Sequence, residues 1–306
     1  MGTIVRTRNL VKNFKGVEVV QNVNMNIQQG EIYGFLGPNG AGKTTVMKML
    51  TNLVRPTSGE IEIFGQPLQG ESFEVLRRMG SIIEYPVFYE KLTAVENLDL
   101  HCEYMGYYNK QAIRDSLDMV NLTNVHSKSV KDYSLGMKQR LGIARAILTK
   151  PEFLILDEPI NGLDPLGIKE MRDIFKILSK EHGITILISS HILAEIEQIA
   201  DTIGVIRGGR LLEEISMDVI RKQSTSYMEL TISDSRQAAR VLEHSLRISN
   251  YKVMDEKHIR IYEIVDAKDL TKRLVQEDVS IEGLSHYQNS LEDHFLQLIQ
   301  GGESHV

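Results

Sequence analysis

The residues with the clearest chemistry form one short segment, Gly37 to Thr44, which fits the pattern G-x-x-x-x-G-K-[ST] in full. Glycines let a backbone turn tightly enough for consecutive N–H groups to point at one phosphate. Lys43 can then reach the outer phosphates, and the Thr44 hydroxyl can bind Mg²⁺. A glycine-rich turn with a solvated lysine is the alternative, but an apolar strand before the segment and a helix after it favour a phosphate loop. The predicted phosphate contacts are Gly37, Pro38, Asn39, Gly40, Ala41, Gly42, Lys43, Thr44 and Thr45.

Further polar residues follow apolar runs that are predicted to be buried strands. Asp157 and Glu158 come directly after Phe153–Leu156, and His191 follows another such run. Ligands of parallel α/β sheets collect at the carboxyl ends of strands, so these side chains are expected beside the phosphate loop. Asp157 is the predicted partner of Mg²⁺, Glu158 the predicted general base for an attacking water, and His191 a predicted γ-phosphate contact. An acidic pair can also simply end a strand, and a single histidine is often structural. The predicted phosphate loop beside these residues favours a catalytic role for them instead.

The elements that must position these residues alternate between strands and helices from Ile4 to about Glu214. Continuous apolar runs predict strands buried on both faces, and amphipathic patterns predict the helices between them. Such alternation is typical of an α/β fold around a mainly parallel sheet. The predicted strands include Glu31–Leu36, Phe153–Leu156 and Ile184–Ile188, and the predicted helices include Thr44–Leu50, Asp164–Ser179 and Ile192–Ile199.

Two regions break this alternation. Between about residues 93 and 149 there is no convincing strand, only amphipathic stretches such as Glu96–Met105 and Leu135–Leu148, which predict a helical subdomain. After the tight turn Arg207–Arg210, the pattern becomes strand, helix, two strands, helix, strand and helix, which is the order of a small α+β ferredoxin-like module. We therefore predict a phosphate-loop domain over residues 1–216 and a regulatory or dimerisation module over residues 217–306.

Further segments resemble the motifs of ABC-type ATPases. Tyr133–Arg140 (YSLGMKQR) resembles the ABC signature motif, and Asn161–Asp164 resembles the D-loop that follows the catalytic acid. His191 stands at the switch-histidine position, Phe14 at that of the aromatic residue that stacks on adenine, and Glu84 where a glutamine is usual. This resemblance implies the ABC ATPase fold, in which a phosphate-loop domain with a mixed sheet carries a helical subdomain.

The resemblance covers about residues 3–215 and implies an ATPase that binds ATP with Mg²⁺ as a head-to-tail homodimer. In this family the region of Ser134 and Gly136, with the D-loop residue Asp164, covers the ATP held by the phosphate loop of the other subunit. ATP then joins two halves that separate after hydrolysis. Ser134 also fits the N-cap of its predicted helix, and the N-terminus of a helix favours anions.

Two residues depart from the family pattern. Leu135 replaces the usual first glycine of the signature, so its branched side chain must point away from the phosphate. Glu84 replaces glutamine; its oxygen can still approach Mg²⁺ or the attacking water, but it adds negative charge near the other acids. Glutamate here resembles the ATP-binding subunits of bacitracin resistance and lantibiotic immunity. The segments that share this resemblance are Ile32–Leu36, Tyr133–Arg145, Ser189–Leu193 and Ser290–Asp293.

Composition limits the partners and the location. The 306-residue chain has a formal net charge of −6, which argues against a nucleic-acid surface. Cys102 is the only cysteine, which fits a reducing compartment, and the sequence predicts neither a signal peptide nor a membrane span. A membrane role would need a separate permease subunit, and we then expect the protein at the cytoplasmic face of the cell membrane.

Two alternatives stay open from the sequence alone. A soluble ABC ATPase would act on ribosomes, DNA or iron–sulfur assembly, although those types usually have two nucleotide domains in one chain, a long coiled coil, or no C-terminal module. A phosphate-loop kinase or GTPase would lack a segment like Ser134–Arg140. The leading expectation is the ATP-binding subunit of an export or immunity transporter for peptide antibiotics.

Overall fold

The computed structural model describes residues 2–107, 109–123, 128–223, 226–263 and 265–288, and side chains within these ranges except those of 221–226 and 288. The chain divides into two compact units, Met1–Met217 and Asp218–Val306. The boundary predicted from the sequence lies one residue earlier. The last predicted helix of the second module and the segment Ser290–Asp293 lie outside the described residues.

The first unit combines strands and helices in the predicted alternation. Its strands are β1 (Thr3–Phe14), β2 (Val17–Val23), β3 (Asn26–Gln28), β4 (Ile32–Leu36), β5 (Ser58–Ile63), β6 (Gln66–Pro67), β7 (Met79–Ile82), β8 (Phe153–Leu156), β9 (Thr185–Ser190), β10 (Thr202–Arg207) and β11 (Arg210–Ser216). Its helices are α1 (Lys43–Leu50), α2 (Phe73–Leu76), α3 (Ala94–Met105), α4 (Lys110–Met119), α5 (Leu135–Ile147), α6 (Pro165–Lys180) and α7 (Leu193–Ile196). Helix α8 (Met217–Gln223) begins at the last residue of this unit.

The central sheet explains why the predicted site residues share one edge. Its strand order is β11-β10-β4-β9-β8-β7, and the strands from β10 to β7 are parallel. Every residue of β4, β8 and β9 is buried, which accounts for their unbroken apolar or small-residue character. Leu36 pairs with Ser190, and Leu156 pairs with Ile188, so these strands end at the same edge.

A second, antiparallel sheet covers the other side of α1. Its order is β2-β1-β5-β6, and β3 pairs with β1. The core between the two sheets contains Leu10 and Ile27 from the antiparallel sheet, Met47 from α1, and Phe35 and Phe153 from the central sheet, all fully buried. This packing fixes α1, and with it the loop that precedes the helix.

The helical subdomain forms as predicted, and each of its helices has a polar N-cap. Thr93 and Glu96 form a capping box at α3, Asn109 caps α4, and Ser134 caps α5. In the described part of residues 93–149 the only strand-like pairing is an isolated bridge between Thr93 and Ser129. Within the described ranges, no helix has the length and apolarity needed to cross a bilayer.

Several predicted boundaries differ from the structure by one or two residues, and the largest difference is at the helix predicted over Ile192–Ile199. The helix predicted at Ile192–Ile199 is limited to α7, Leu193–Ile196, because the Ile192 N–H donates to the Ser190 hydroxyl (3.0 Å) and Ile199 closes a tighter turn onto Ile196. Strand β7 ends at Ile82, two residues before Glu84. The chain bends there, and Glu84 adopts a left-handed backbone conformation with a φ of 65°.

The second unit is an antiparallel sheet with two helices on one face. Its elements are β12 (Ser226–Ile232), α9 (Ser235–His244), β13 (Tyr251–Val253), β14 (His258–Ile261), α10 (Ala267–Gln276) and β15 (Ile281–Gln288). The strand order β13-β14-β12-β15 and the sequence order of strands and helices confirm the ferredoxin-like prediction. Leu230, Ile259, Leu242 and Leu274 are fully buried in a core of its own.

Candidate functional site

The loop between β4 and α1 has a backbone that only glycine permits at two positions. Gly42 has a φ of 104°, and a Cβ at this residue would lie 2.8 Å from the carbonyl oxygen of Val19. A Cβ at Gly37 would collide with the carbonyl oxygen of Ile206. Gly42 is the N-cap of α1 and offers no side-chain cap, so the first N–H groups of the helix remain for a ligand. The cleft beside the loop is lined by Val19, Asn39, Gly40, Ala41, Gly42, Lys43, Thr44, Thr45 and Glu158.

Lys43 lies over the loop and is almost fully buried. Its ammonium group donates to the carbonyl oxygens of Gly37 (2.6 Å) and Pro38 (3.2 Å). The same Nζ lies 3.2 Å from Oε1 of Glu158. A buried ammonium group needs such partners, and together they place the positive charge inside the loop.

Asp157 is the buried centre of the site. The Thr44 hydroxyl donates to its Oδ2 (2.7 Å), and the Ser189 hydroxyl donates to its Oδ1 (2.6 Å). The carboxylate directly follows β8, and its two hydrogen bonds connect it to the first turn of α1 and to the end of β9. Thr44 and Asp157 together present the hard oxygen donors that Mg²⁺ prefers.

Glu158 lies next to Asp157 but points in another direction, because its backbone is left-handed with a φ of 48°. Its N–H donates to the Ser189 hydroxyl (2.8 Å), and its Oε2 lies 2.9 Å from Nδ1 of His191. Oε1 is buried and lies close to the Lys43 charge, but no donor is aligned for a hydrogen bond to it. A carboxylate held beside the cleft in this way suits the base for a water molecule.

A further carboxylate lies behind the histidine. Burial raises the pKa of the Glu195 carboxyl, although the hydrogen bond from Ser190 (3.2 Å) and the positive charge that His191 can carry both lower it. A carboxyl group with a raised pKa therefore lies beside the Glu158–His191 pair. A nucleotide phosphate accompanied by Mg²⁺ fits the glycine backbone, the Thr44 and Asp157 oxygens and the Glu158 carboxylate.

Comparison with known proteins agrees with this geometry. Residues 20–161 match the sequence model of the family described as ABC transporter. The uncharacterized ABC transporter ATP-binding protein YcbN of Bacillus subtilis (strain 168) is 62% identical over 98% of both chains. The bacitracin transport ATP-binding protein BcrA of Bacillus licheniformis is 48% identical over 99% of both chains. A solved structure of the ATP binding subunit of an ABC transporter, 33% identical, has a TM-score of 0.63 and covers 72% of this chain and 93% of that chain. The chain belongs to the ATP-binding subunits of ABC transporters.

As an ABC ATPase, the protein gathers part of the predicted site within one chain. Lys43, Thr44, Asp157, Glu158 and His191 are connected by the contacts given above. Sequence reasoning missed Ser189, the shared partner of both acids, although it stands two residues before His191 at the same strand end. It also missed Val19, whose position on β2 gives no local signal of phosphate chemistry.

Other residues predicted for this ABC ATPase do not line the cleft of their own chain. Ser134 caps α5 by accepting from the Met137 N–H (3.2 Å), and Asp164 caps α6 by accepting from the Gly167 N–H (3.0 Å). Phe14 is exposed at the end of β1, with the Lys12 ammonium 4.8 Å from its ring centre. Gly136 and Glu84 lie outside the cleft as well, whereas Gly37, Pro38, Asp157 and His191 contact residues that line it.

Leu135, the departure in the signature motif, packs towards the D-loop. Its Cδ2 lies 3.3 Å from the position that a Cβ on Gly162 would take. Gly136, the next residue, has space beside it, since a Cβ there would make only an ordinary contact of 3.7 Å with Leu163. The first turn of α5 therefore lies against the D-loop of the same chain.

We expect replacement of Ser189 by alanine to slow ATP hydrolysis about tenfold to hundredfold while ATP still binds. The change removes hydrogen bonds to both acids, and a hydrogen bond to a charged group contributes about 1.5–3 kcal/mol. Steady-state ATPase assays and ATP titrations measure the two effects separately. Ser190→Ala is the matched control, because its hydroxyl faces Ile192 and Glu195. Equal losses in both variants, or wild-type hydrolysis by Ser189→Ala, would contradict the role of Ser189.

Proposed function

We propose that this ABC subunit hydrolyses ATP·Mg²⁺ to drive a separate membrane permease that exports, or confers resistance to, a peptide antibiotic of the bacitracin or lantibiotic class. The observation that carries the catalytic part is the Glu158 carboxylate, held at the phosphate loop between Lys43 and His191. The cargo class rests on the relative named for bacitracin transport and on Glu84.

Each residue of the cluster has a task that follows from its position. The loop N–H groups and Lys43 bind the phosphates, and Thr44 and Asp157 hold the Mg²⁺, which supplies charge neutralisation when bound. Oε1 of Glu158 accepts the proton of the attacking water. His191 orients the Glu158 carboxylate through Oε2 and can reach the γ-phosphate.

The single chain accounts for only part of an ATP site. Ser134 and Gly136 lie at the N-terminus of α5, where N–H groups favour an anion, yet neither residue lines the cleft of its own chain. We propose that Ser134, Gly136 and Asp164 contact the ATP that is held by a second copy of the protein. Phe14 stacks on the adenine of the ATP bound at the phosphate loop of its own chain. The working unit is then a homodimer with ATP between the subunits.

The permease contact is supported by an exposed apolar surface formed by the segment after β7 and by Tyr104 of α3. Tyr85, Val87 and Tyr104 are 66%, 80% and 74% exposed, and the hydroxyls of Tyr89 and Tyr104 lie 3.4 Å apart. Large apolar side chains grouped in this way mark an interaction surface. A permease docked there would place the subunit at the cytoplasmic face of the membrane.

Co-expression with its partner permease should raise the resistance of a sensitive bacterium to bacitracin or a lantibiotic. The same pair with Glu158→Gln should give no resistance, since loss of a general base typically slows a reaction about 10²–10⁴-fold. The minimal inhibitory concentration is the measurement. Unchanged sensitivity to every peptide antibiotic tested would show that the cargo class is wrong, whereas equal resistance with Glu158→Gln would show that hydrolysis does not drive it.

We further propose that the second unit is a regulatory or dimerisation module rather than part of the ATP site. Its core is independent, and the described residues contain no group of histidines, cysteines or acids suited to a metal ion. A chain that ends at Thr225 should bind ATP with the affinity of the full-length protein, as measured by calorimetric titration. Loss of ATP binding by a soluble, folded truncated chain would contradict this division.

A further inference from the structure

Helix α1 contacts the ends of two neighbouring strands through side chains one helical turn apart. Thr44 donates to Asp157, which follows β8, and Lys48 forms an ion pair of 2.6 Å with Oε1 of Glu84, which follows β7. Residues four apart lie on the same face of a helix, so both contacts come from one side of α1. The Lys48 contact lies one turn further from the phosphate loop than the Thr44 contact.

The backbone directs Glu84 towards this contact. Strands β7 and β8 are parallel neighbours, with Ile82 paired to Leu156, and the Asp157 N–H donates to the Ile82 carbonyl oxygen (2.9 Å). Ile83 packs on the core, and the left-handed conformation of Glu84 then turns the chain away from the strand direction. The carboxylates of Glu84 and Asp157 thus start from adjacent strand ends, and each is held by a different turn of α1.

Charge explains why a lysine is needed here. Glu158 already pairs with Lys43, Asp157 is the residue before it, and Glu84 adds a third carboxylate to the same edge of the sheet. Like charges at one site oppose each other, and a nearby ammonium group offsets this repulsion. A glutamine at position 84 would bring no such charge, so Lys48 has a particular task when the residue is glutamate.

The pair is exposed enough to open. The side chains of Lys48 and Glu84 are 32% and 62% exposed. Ion pairs of this kind change an equilibrium by only about two- to fivefold, which is small compared with the effect of a bound divalent cation. The contact therefore suits an exchange of partners better than a permanent structural link.

We propose that Lys48 is a positioning residue. Its ion pair keeps the Glu84 carboxylate away from the Mg²⁺ that Asp157 would hold, so that Mg²⁺ and Lys48 compete for Glu84. The proposal rests on the proposed role of Glu84 beside the metal. Without Lys48 the carboxylate is free to join the metal site. Lys48 then sets how much Mg²⁺ is required for the nucleotide to bind in its productive form.

Titration of Mg²⁺ into protein with a non-hydrolysable ATP analogue, followed by calorimetry, tests this competition without any turnover. Lys48→Met should lower the Mg²⁺ concentration at half-saturation by about two- to fivefold. Lys48→Arg keeps the ion pair and should behave as wild type. In a Glu84→Gln background, Lys48→Met should have no effect, because the carboxylate that Mg²⁺ and Lys48 share is gone.

Lys180→Met is the matched control, since it breaks a similar exposed ion pair, 3.0 Å from Asp201, away from the loop. Thermal unfolding of each variant shows whether the fold is retained. An unchanged half-saturation in Lys48→Met, or the same shift with Gln at position 84, overturns the inference while the proposed function stands. If the wild-type protein shows no nucleotide-dependent Mg²⁺ binding, the proposed function fails as well.

Discussion

The buried carboxylate of Asp157 is the interaction on which the site depends. An ionised group away from water is stable only when its oxygens are hydrogen-bonded, and here Thr44 and Ser189 supply both bonds. Because these partners come from α1 and from the end of β9, one carboxylate holds the phosphate loop and two strand ends in register. Glu158, the next residue, is thereby fixed beside Lys43 and His191.

The sequence predicted the parts of the site that are local in the chain. The phosphate loop and the acids after β8 follow from short motifs and from the rule that parallel strands open their sites at one edge. Ser189 and Lys48 could not be predicted, because their partners are 32 and 36 residues away and depend on the register of neighbouring strands. The helix predicted over Ile192–Ile199 is too long, since its pattern does not show that the Ser190 hydroxyl accepts the Ile192 N–H or that Ile199 closes a tighter turn onto Ile196.

The proposed homodimer would complete a site for which a single subunit supplies only part of the contacts. The N-terminus of α5, with Ser134 and Gly136, is built to face an anion, but its own chain places it against Leu163 and Gly162 of the D-loop. Leu135 fills the space next to that loop. This arrangement gives a continuous surface of signature and D-loop residues that a second subunit's ATP can meet. Nucleotide binding and subunit contact then become one event.

The central claim is that the phosphate loop is half of a site that a second copy completes. The most direct measurement is the mass of the Glu158→Gln variant by light scattering, with and without saturating ATP and Mg²⁺. This variant should bind ATP, hydrolyse it very slowly and become a dimer only when ATP is present, because the nucleotide that joins the subunits is not consumed. A variant that binds ATP yet remains a monomer at saturation would contradict the account.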